Sequence, residues 1–332
     1  MTRLRFGILS TAVINDDMLP AFAATEVADV TAIASRELVW AEQYAQARGI
    51  DRAYGSYREL LDAHDVDAVY IPLPNSLHHE WTSAALDAGK HVLCEKPLTI
   101  RADEAAELFA QADRRGLVLM EAFMYRHHPI ANAVEDIVRS GQIGEVQSIR
   151  SHFSFTVADP ENDIRLSAQL GGGALRDVGC YCISFGRLVA GEDPEFVASH
   201  QLITPTEVDE RTTALLEYPG GATGTFDVSI RSPLAYGATV VGSDAVLSIP
   251  SPWYAHNPPH AISIARDDGA TQTLNYSSRN SYELEIENFC RAVHREEAPR
   301  ITAEETIGVL ATLEQIEAAA MRTEHGQAHK ET

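Results

Sequence analysis

Leu4-Arg5-Phe6-Gly7-Ile8-Leu9-Ser10-Thr11-Ala12 opens the chain with an apolar, β-rich run that ends in small residues, and a helical-period segment follows over residues 12 to 24. The alternation then repeats. Residues 27 to 33, 68 to 73, 91 to 94 and 117 to 120 read as strands, and residues 37 to 48, 57 to 63, 76 to 88 and 101 to 115 read as helices. Each helix is long enough to cross back over a sheet. Right-handed crossovers then stack the strands in parallel with helices on both faces, a doubly wound α/β sheet whose ligand sits at the carboxyl ends of the strands. Pro20 is expected to kink or end the first helix.

Beyond residue 120 the pattern changes to closely spaced strands at 145 to 155, 196 to 203, 212 to 218, 222 to 230, 239 to 241 and 245 to 249. Pro219-Gly220-Gly221 is a hairpin connection, so the later strands are expected to pair antiparallel. Two helices, 281 to 294 and 303 to 321, are expected to close the chain before a polar tail from Thr323, and residues 175 to 189 are considered as a helix in weighing the motif there. This reads as an α+β half. The expected division is a nucleotide-binding domain over 1–122 and a substrate-binding and oligomerisation domain over 123–332, with the last helix able to pack back on the first domain.

The length of 332 residues supports two cores, and 45% hydrophobic with 22% charged residues is ordinary globular composition. Against 48 Asp and Glu stand 26 Lys and Arg, a net charge of −22 that opposes nucleic acid and anionic membrane as partners. No apolar run reaches the length of a membrane span, and the start lacks the apolar core of a secretion signal. A cytoplasmic protein is expected. Cys94, Cys180, Cys182 and Cys290 have no CxxC spacing and are expected as free thiols. The pairs His78-His79 and His127-His128 have no third ligand at a supporting spacing, so no metal is expected.

A strand running into a helix at the start of a βαβ unit is the setting for a dinucleotide pyrophosphate, because amides at the helix start can hold it. The three glycines of GxGxxG would fall on Ser10, Ala12 and Asn15, so the glycine pattern itself is missing. Ser10, Thr11 and Ala12 are small enough for phosphates to approach. At the end of the second strand, where an acid would bind a ribose 2′-hydroxyl, the chain has Ala34-Ser35-Arg36. Ser35 can donate to a 2′-phosphate and Arg36 can pair with it, a contact of roughly 1.5–3 kcal/mol. NADP is expected in preference to NAD.

Ile71-Pro72-Leu73-Pro74-Asn75-Ser76-Leu77-His78, Glu95-Lys96-Pro97, Met120-Glu121-Ala122-Phe123-Met124-Tyr125-Arg126-His127-His128-Pro129 and Gly171-Gly172-Gly173-Ala174-Leu175-Arg176-Asp177-Val178-Gly179-Cys180-Tyr181 occur in an order and spacing that resemble the glucose–fructose oxidoreductase / inositol dehydrogenase / MocA family. The resemblance implies a Rossmann domain followed by an open, mostly antiparallel sheet domain flanked by helices. It also implies a pyridine-nucleotide oxidoreductase acting on sugars, cyclitols or related polyols and ketones, with Lys96, Asp177 and Tyr181 as its catalytic residues.

Hydride transfer from an alcohol carbon needs a group to take the hydroxyl proton, and the reverse reaction needs the same group as donor. On this reading Tyr181 exchanges the proton, Lys96 tunes it and binds the reacting oxygen, and Asp177 orients substrate or lysine. Four residues apart on a helix, Asp177 and Tyr181 share a face. Leu73, Pro74, Asn75 and His78 follow the third major strand and are expected to line the dinucleotide, with Glu95 reaching its ribose and Lys96 beside it. Arg165 is expected on the cofactor and Arg126 on cofactor or substrate oxygens, while Tyr125 and Phe155 offer a substrate wall. The expected reaction joins a secondary alcohol or hemiacetal to its ketone or lactone on a small sugar-like substrate, chosen by the loops at 156–170 and 231–236. A trans-dihydrodiol dehydrogenase-like enzyme and a non-catalytic NADP sensor are the alternatives. An open sheet with an apolar face predicts a homodimer or homotetramer formed through it.

Overall fold

The computed structural model describes residues 2–254 and 256–324. In the first part of the chain β1 (Leu4–Leu9), α1 (Asn15–Ala24), β2 (Ala28–Ala34), α2 (Leu38–Arg48), β3 (Arg52–Tyr54), α3 (Tyr57–Leu61), β4 (Ala68–Ile71), α4 (Asn75–Asp87), β5 (His91–Glu95), α5 (Ala102–Arg115) and β6 (Leu119–Ala122) alternate. The six strands form one sheet in the order β3-β2-β1-β4-β5-β6, with every pairing parallel. Strand order reverses between β1 and β4. That reversal opens the crevice in which a doubly wound sheet takes its ligand. Residues up to His127 form one compact unit together with Asn280–Ile307.

Phe6, Ile8, Ile33, Val69, Tyr70, Val92 and Leu93 are fully buried, as strands covered on both faces require. Phe6 meets Phe22 of α1 at 4.8 Å and Phe289 at 5.6 Å between ring centroids. A Cβ at Gly7 would lie 2.5 Å from the Leu60 side chain, so glycine lets α3 press onto β1. Two features differ from the sequence reading in this unit. β3, three residues long, is not read as a strand there because it is too short to show an alternation, and α1 does not end at Pro20 but continues to Ala24. Pro20 and Asp16 are both exposed, so water can reach the Asp16 carbonyl that Pro20 cannot bond.

The second unit comprises His128–Arg279 and residues from Gly308 onward. It contains α6 (Pro129–Arg139), β7 (Val146–Thr156), a π turn (Leu175–Gly179) leading into α7 (Cys180–Ala190), β8 (Phe196–Ile203), β9 (Asp209–Glu217), β10 (Thr223–Ser229), β11 (Arg231–Gly242), β12 (Val246–Ile249), β13 (Ala261–Ala265) and β14 (Thr271–Asn275). α8 (Ser281–Val293) belongs to the first unit, α9 (Ala303–Ala319) follows, and β15 (Ala320–Glu324) ends the described chain. Nine strands lie in the order β14-β13-β12-β11-β7-β10-β9-β8-β15, antiparallel except at β7/β10 and β8/β15. The expected hairpin joins β9 to β10, where Tyr218 N donates to Ala222 O at 3.0 Å.

Three corrections belong to this unit. Residues 175–189 are not one α-helix, because the stretch carrying Asp177 is a π turn. The last helix stops at Ala319 and the chain turns into β15, pairing parallel with β8 from Ala320↔Ser199 to Glu324↔Ile203. The Ser199 hydroxyl donates to Ile316 O at 2.7 Å, satisfying a carbonyl of the last turn where the helix gives way to the strand. Residues 325–332 of the expected tail lie outside the described residues. The sheet's open face is not apolar: Arg150, His152, Arg211, Thr213, Glu217, Thr225 and Asp227 are exposed on it, with Phe196, Leu215 and Met321 as large apolar exceptions. The opposite face, with Ile149, Phe153, Leu216, Phe226 and Val240, is buried. Among the described residues no helix is long and apolar enough to cross a membrane, and Cys94, Cys180, Cys182 and Cys290 are buried free thiols.

Candidate active site

The expected nucleotide residues of the first unit follow the carboxyl ends of its parallel strands, whereas Arg165, also expected on the cofactor, belongs to the second unit. Ser10 follows β1 with φ +138, a conformation that L side chains rarely adopt and that the missing first glycine would take at no cost. Asn15, fully buried at the start of α1, donates its side-chain amide to Ser10 O at 2.9 Å and pins the loop through Thr11 and Ala12. Asp16 in that first helical turn would oppose an anion, but Arg48 pairs with it at 2.5 Å. After β2, Ser35 is buried with its amide on Tyr54 O at 3.1 Å, and Arg36 is exposed with its guanidinium 5.9 Å from the Trp40 ring centre. Ser35 and Arg36 stand at the positions where an acid would bind a ribose 2′-hydroxyl, and Trp40, half exposed, is a neighbour that the sequence reading did not single out.

After β4, Leu73 and Pro74 lead into α4, which starts at Asn75. His78 is fully buried, with Nε2 at 2.7 Å from Leu73 O and Nδ1 at 2.8 Å from Pro97 O. Its ring joins the loops after β4 and β5, and burial pushes its pKa down. Both nitrogens are thus committed within the protein, and its route to a cofactor is through the loops it holds. After β5, the Tyr70 hydroxyl donates to Glu95 Oε1 at 2.6 Å, and the Lys96–Pro97 bond is cis. Glu121, fully buried on β6, accepts Leu98 N at 2.9 Å on one oxygen and the Thr306 hydroxyl at 2.7 Å on the other. Burial pushes the Glu121 carboxyl up to about 7, with both hydrogen bonds and the Lys96 charge pulling the other way. The segment Lys96-Pro97-Leu98 is therefore tied at its far end to a buried acid.

Tyr125 and Arg126 are both buried, and Arg126 Nη1 pairs with Glu305 at 2.7 Å. The sequence reading places Arg126 on cofactor or substrate oxygens; in the structure its guanidinium meets the Glu305 carboxylate.

In the second unit Asp177 and Arg165 are found on each other. Arg165 Nε donates to Asp177 Oδ2 at 2.7 Å, its Nη1 lies 3.3 Å from Asp163, and the guanidinium sits 5.5 Å from the Phe155 ring centre. The Asp177 charge raises the Arg165 pKa and keeps the guanidinium protonated. Tyr181, near the start of α7 and 8% exposed, packs edge-on to Phe153 at 5.5 Å and at 5.7 Å from Trp253. Tyr236 and Tyr254 extend the group around Phe153 at 6.2 and 5.8 Å. The sequence reading missed Trp253, Tyr236 and Tyr254. The adjacent Trp253-Tyr254 pair just after a strand was the available signal. Among the described residues no group of three or more His, Cys, Asp or Glu is placed to hold a metal.

The first unit carries Lys96 just after β5, and the second carries Asp177 in its π turn and Tyr181 four residues later in α7. The chain belongs to the Gfo/Idh/MocA oxidoreductase family: residues 4–123 match its NAD-binding Rossmann fold and residues 131–248 its C-terminal domain. It is 41% identical over 315 residues to D-xylose 1-dehydrogenase (NADP(+)) 2 of Haloferax volcanii, covering 94% of this chain and 96% of that protein. To the trans-1,2-dihydrobenzene-1,2-diol dehydrogenase of Xenopus laevis it is 32% identical, covering 89% and 91% of the two chains. The structure of a 3-ketoreductase from Actinomadura kijaniata, in complex with NADP and TDP-benzene, superposes with a TM-score of 0.90 at 34% identity, covering 98% of this chain and 100% of that one.

Proposed function

We propose that this protein is an NADP-dependent oxidoreductase interconverting a secondary alcohol or hemiacetal with its ketone or lactone on a small sugar-like substrate. The observation that carries the reading is the set of side chains at one sheet edge: a strained Ser10 loop, Arg36 in place of an acid, and Lys96 after β5. The names of the relatives point the same way, since they include a xylose dehydrogenase and a dTDP-sugar 3-reductase. The first domain holds the nucleotide through Ser10, Thr11, Ala12, Ser35, Arg36, Leu73, Pro74, Asn75 and Glu95, and the second holds the substrate.

The bound nucleotide supplies the hydride acceptor in oxidation and the donor in reduction. Lys96 donates a hydrogen bond to the reacting oxygen, and its ammonium stabilises a phenolate at Tyr181. Tyr181 takes the hydroxyl proton in oxidation and returns it in reduction. Asp177, fixed by Arg165, accepts a hydrogen bond from a neighbouring substrate hydroxyl, and Phe155 closes one side. Oxidation of an alicyclic diol is the second reading, favoured by the rings of Phe153, Trp253 and Tyr254 around Tyr181 and its vicinity. We further propose a cytoplasmic homodimer or homotetramer assembled through the open sheet, its contacts drawn from a mostly polar face with Phe196, Leu215 and Met321 as the large exposed apolar residues.

A panel of pentoses, hexoses, cyclitols, cyclic diols and their keto forms, followed by NADPH absorbance with NADP and NAD in both directions, tests the reading. Turnover of a sugar with higher kcat/KM for NADP is expected. Arg36→Ala should lower kcat/KM for NADP about 10–100-fold and leave that for NAD unchanged. Equal or better use of NAD by the wild type refutes the cofactor assignment. A stable monomer by light scattering at micromolar concentration refutes the assembly.

A further inference from the structure

Asp209 opens β9 almost fully buried, and its side chain is turned onto the π turn that precedes α7. Its Oδ2 accepts Leu175 N at 2.8 Å and the Thr212 hydroxyl at 2.6 Å. Its Oδ1 lies where Gly173 leaves no room: a Cβ at that glycine, which has φ +118, would stand 2.2 Å from it. Leu175 is the first residue of the turn, and Asp177 follows two positions later. From the other side Arg176 Nε and Nη2 grip Glu317 of α9 at 2.8 and 3.0 Å. The turn is thus clamped at both flanks by charged hydrogen bonds. π turns have weaker intrinsic geometry than α-helix and persist where their surroundings impose them.

We propose that Asp209 is a positioning residue: it holds Leu175–Gly179 in the π geometry and so sets where Asp177 and Tyr181 stand. The proposal rests on the oxidoreductase reading for its consequence in turnover, but its structural half does not. Burial pushes the Asp209 carboxyl up to about 7, with Thr212 and Leu175 N holding it down and Glu317 pushing with burial. The charged groups facing it along a neighbouring cavity of about 660 Å³ are Arg176 on the turn, Glu207 before β9, Glu317 on α9, and Arg322 and Glu324 on β15. A carboxylate accepts more strongly than a neutral acid, so the hold on Leu175 weakens as Asp209 takes up its proton.

The test compares wild type, Asp209→Asn and Thr212→Val. Amide hydrogen exchange over residues 174–181 should speed about tenfold in Asp209→Asn and less in Thr212→Val, read at one pH. On the best sugar substrate, kcat should fall about tenfold in Asp209→Asn while the Kd for NADP stays as in wild type. The wild-type kcat should decline as pH drops through about 7, the limb should vanish in Asp209→Asn, and Thr212→Val should move it to higher pH. Should Asp209→Asn fail to fold, Thr212→Val alone decides by exchange and by the direction of the limb. Unchanged exchange, or faster exchange with unchanged kcat and limb, overturns the proposal. If no sugar is turned over by the wild type, the functional reading has failed, and exchange still judges the hold of Asp209 on the turn.

Discussion

Glu121 and Asp209 sit in different units on unrelated sheets, yet each is a buried carboxylate that accepts one backbone amide and one threonine hydroxyl. Glu121 takes the amide two residues after Lys96, and Asp209 the amide two residues before Asp177. Burial raises both to about 7. They differ in how the load is shared. Glu121 uses one oxygen for each donor, joining β6 to the helix that carries Thr306, whereas Asp209 places both donors on one oxygen and turns the other to Gly173. The first arrangement ties together two elements; the second shapes one turn. The lesson is that an acid excluded from water can be retained for the backbone it holds, at a cost in stability that depends on pH.

The comparison breaks first if the supported side chains are not the reacting ones. Lys96→Met should lower kcat by about 10²–10⁴-fold, measured at saturating substrate, since a positioned proton or charge partner is worth that much. Next in size, Glu121→Leu removes the acceptor for Leu98 N and Thr306 and should cost about 2–3 kcal/mol in urea unfolding, with Glu121→Gln losing less because its amide oxygen still accepts. Third, the folded-state pKa of each acid is raised, so between the ordinary carboxylate value and about 7 the unfolded chain binds fewer protons and stability falls as pH rises. Each acid contributes a slope of at most about 1.4 kcal/mol per pH unit, and Glu121→Gln should remove its share in unfolding titrations from pH 5 to 7. A final comparison sets these supports against unrelieved strain. Ser10→Gly should raise stability by about 0.5–1 kcal/mol by releasing φ +138, a gain visible as a higher urea midpoint at constant slope.

Most of the first 120 residues was legible because every strand there except β3 is an apolar run, as a buried parallel sheet demands, set between helical-period segments. β3, with its three half-buried residues, carries no such run. In the second unit β14, Thr271–Asn275, is mostly exposed at a sheet edge and offers one apolar residue, so nothing in its composition separates it from a loop. Ser10, Arg36, Lys96, Asp177 and Tyr181 were singled out from motif and position. Glu121 stood inside a quoted motif, and its place among the buried residues Leu119, Met120 and Ala122 was the overlooked sign. Asp209 had no sign at all. Its donors come from the turn at Leu175 and from Thr212, and only the folded sheet brings the first of these to it.

Among the described residues β15 pairs with β8 alone, in parallel, and it is made more than a hundred residues after it. A ribosome therefore releases β8 with one flank bare, and that flank stays available to any extended peptide until the final strand has emerged. Truncation just before Ala320 would make the exposure permanent, leaving Phe196 beside an open row of backbone donors and acceptors, the usual starting point for unwanted strand addition.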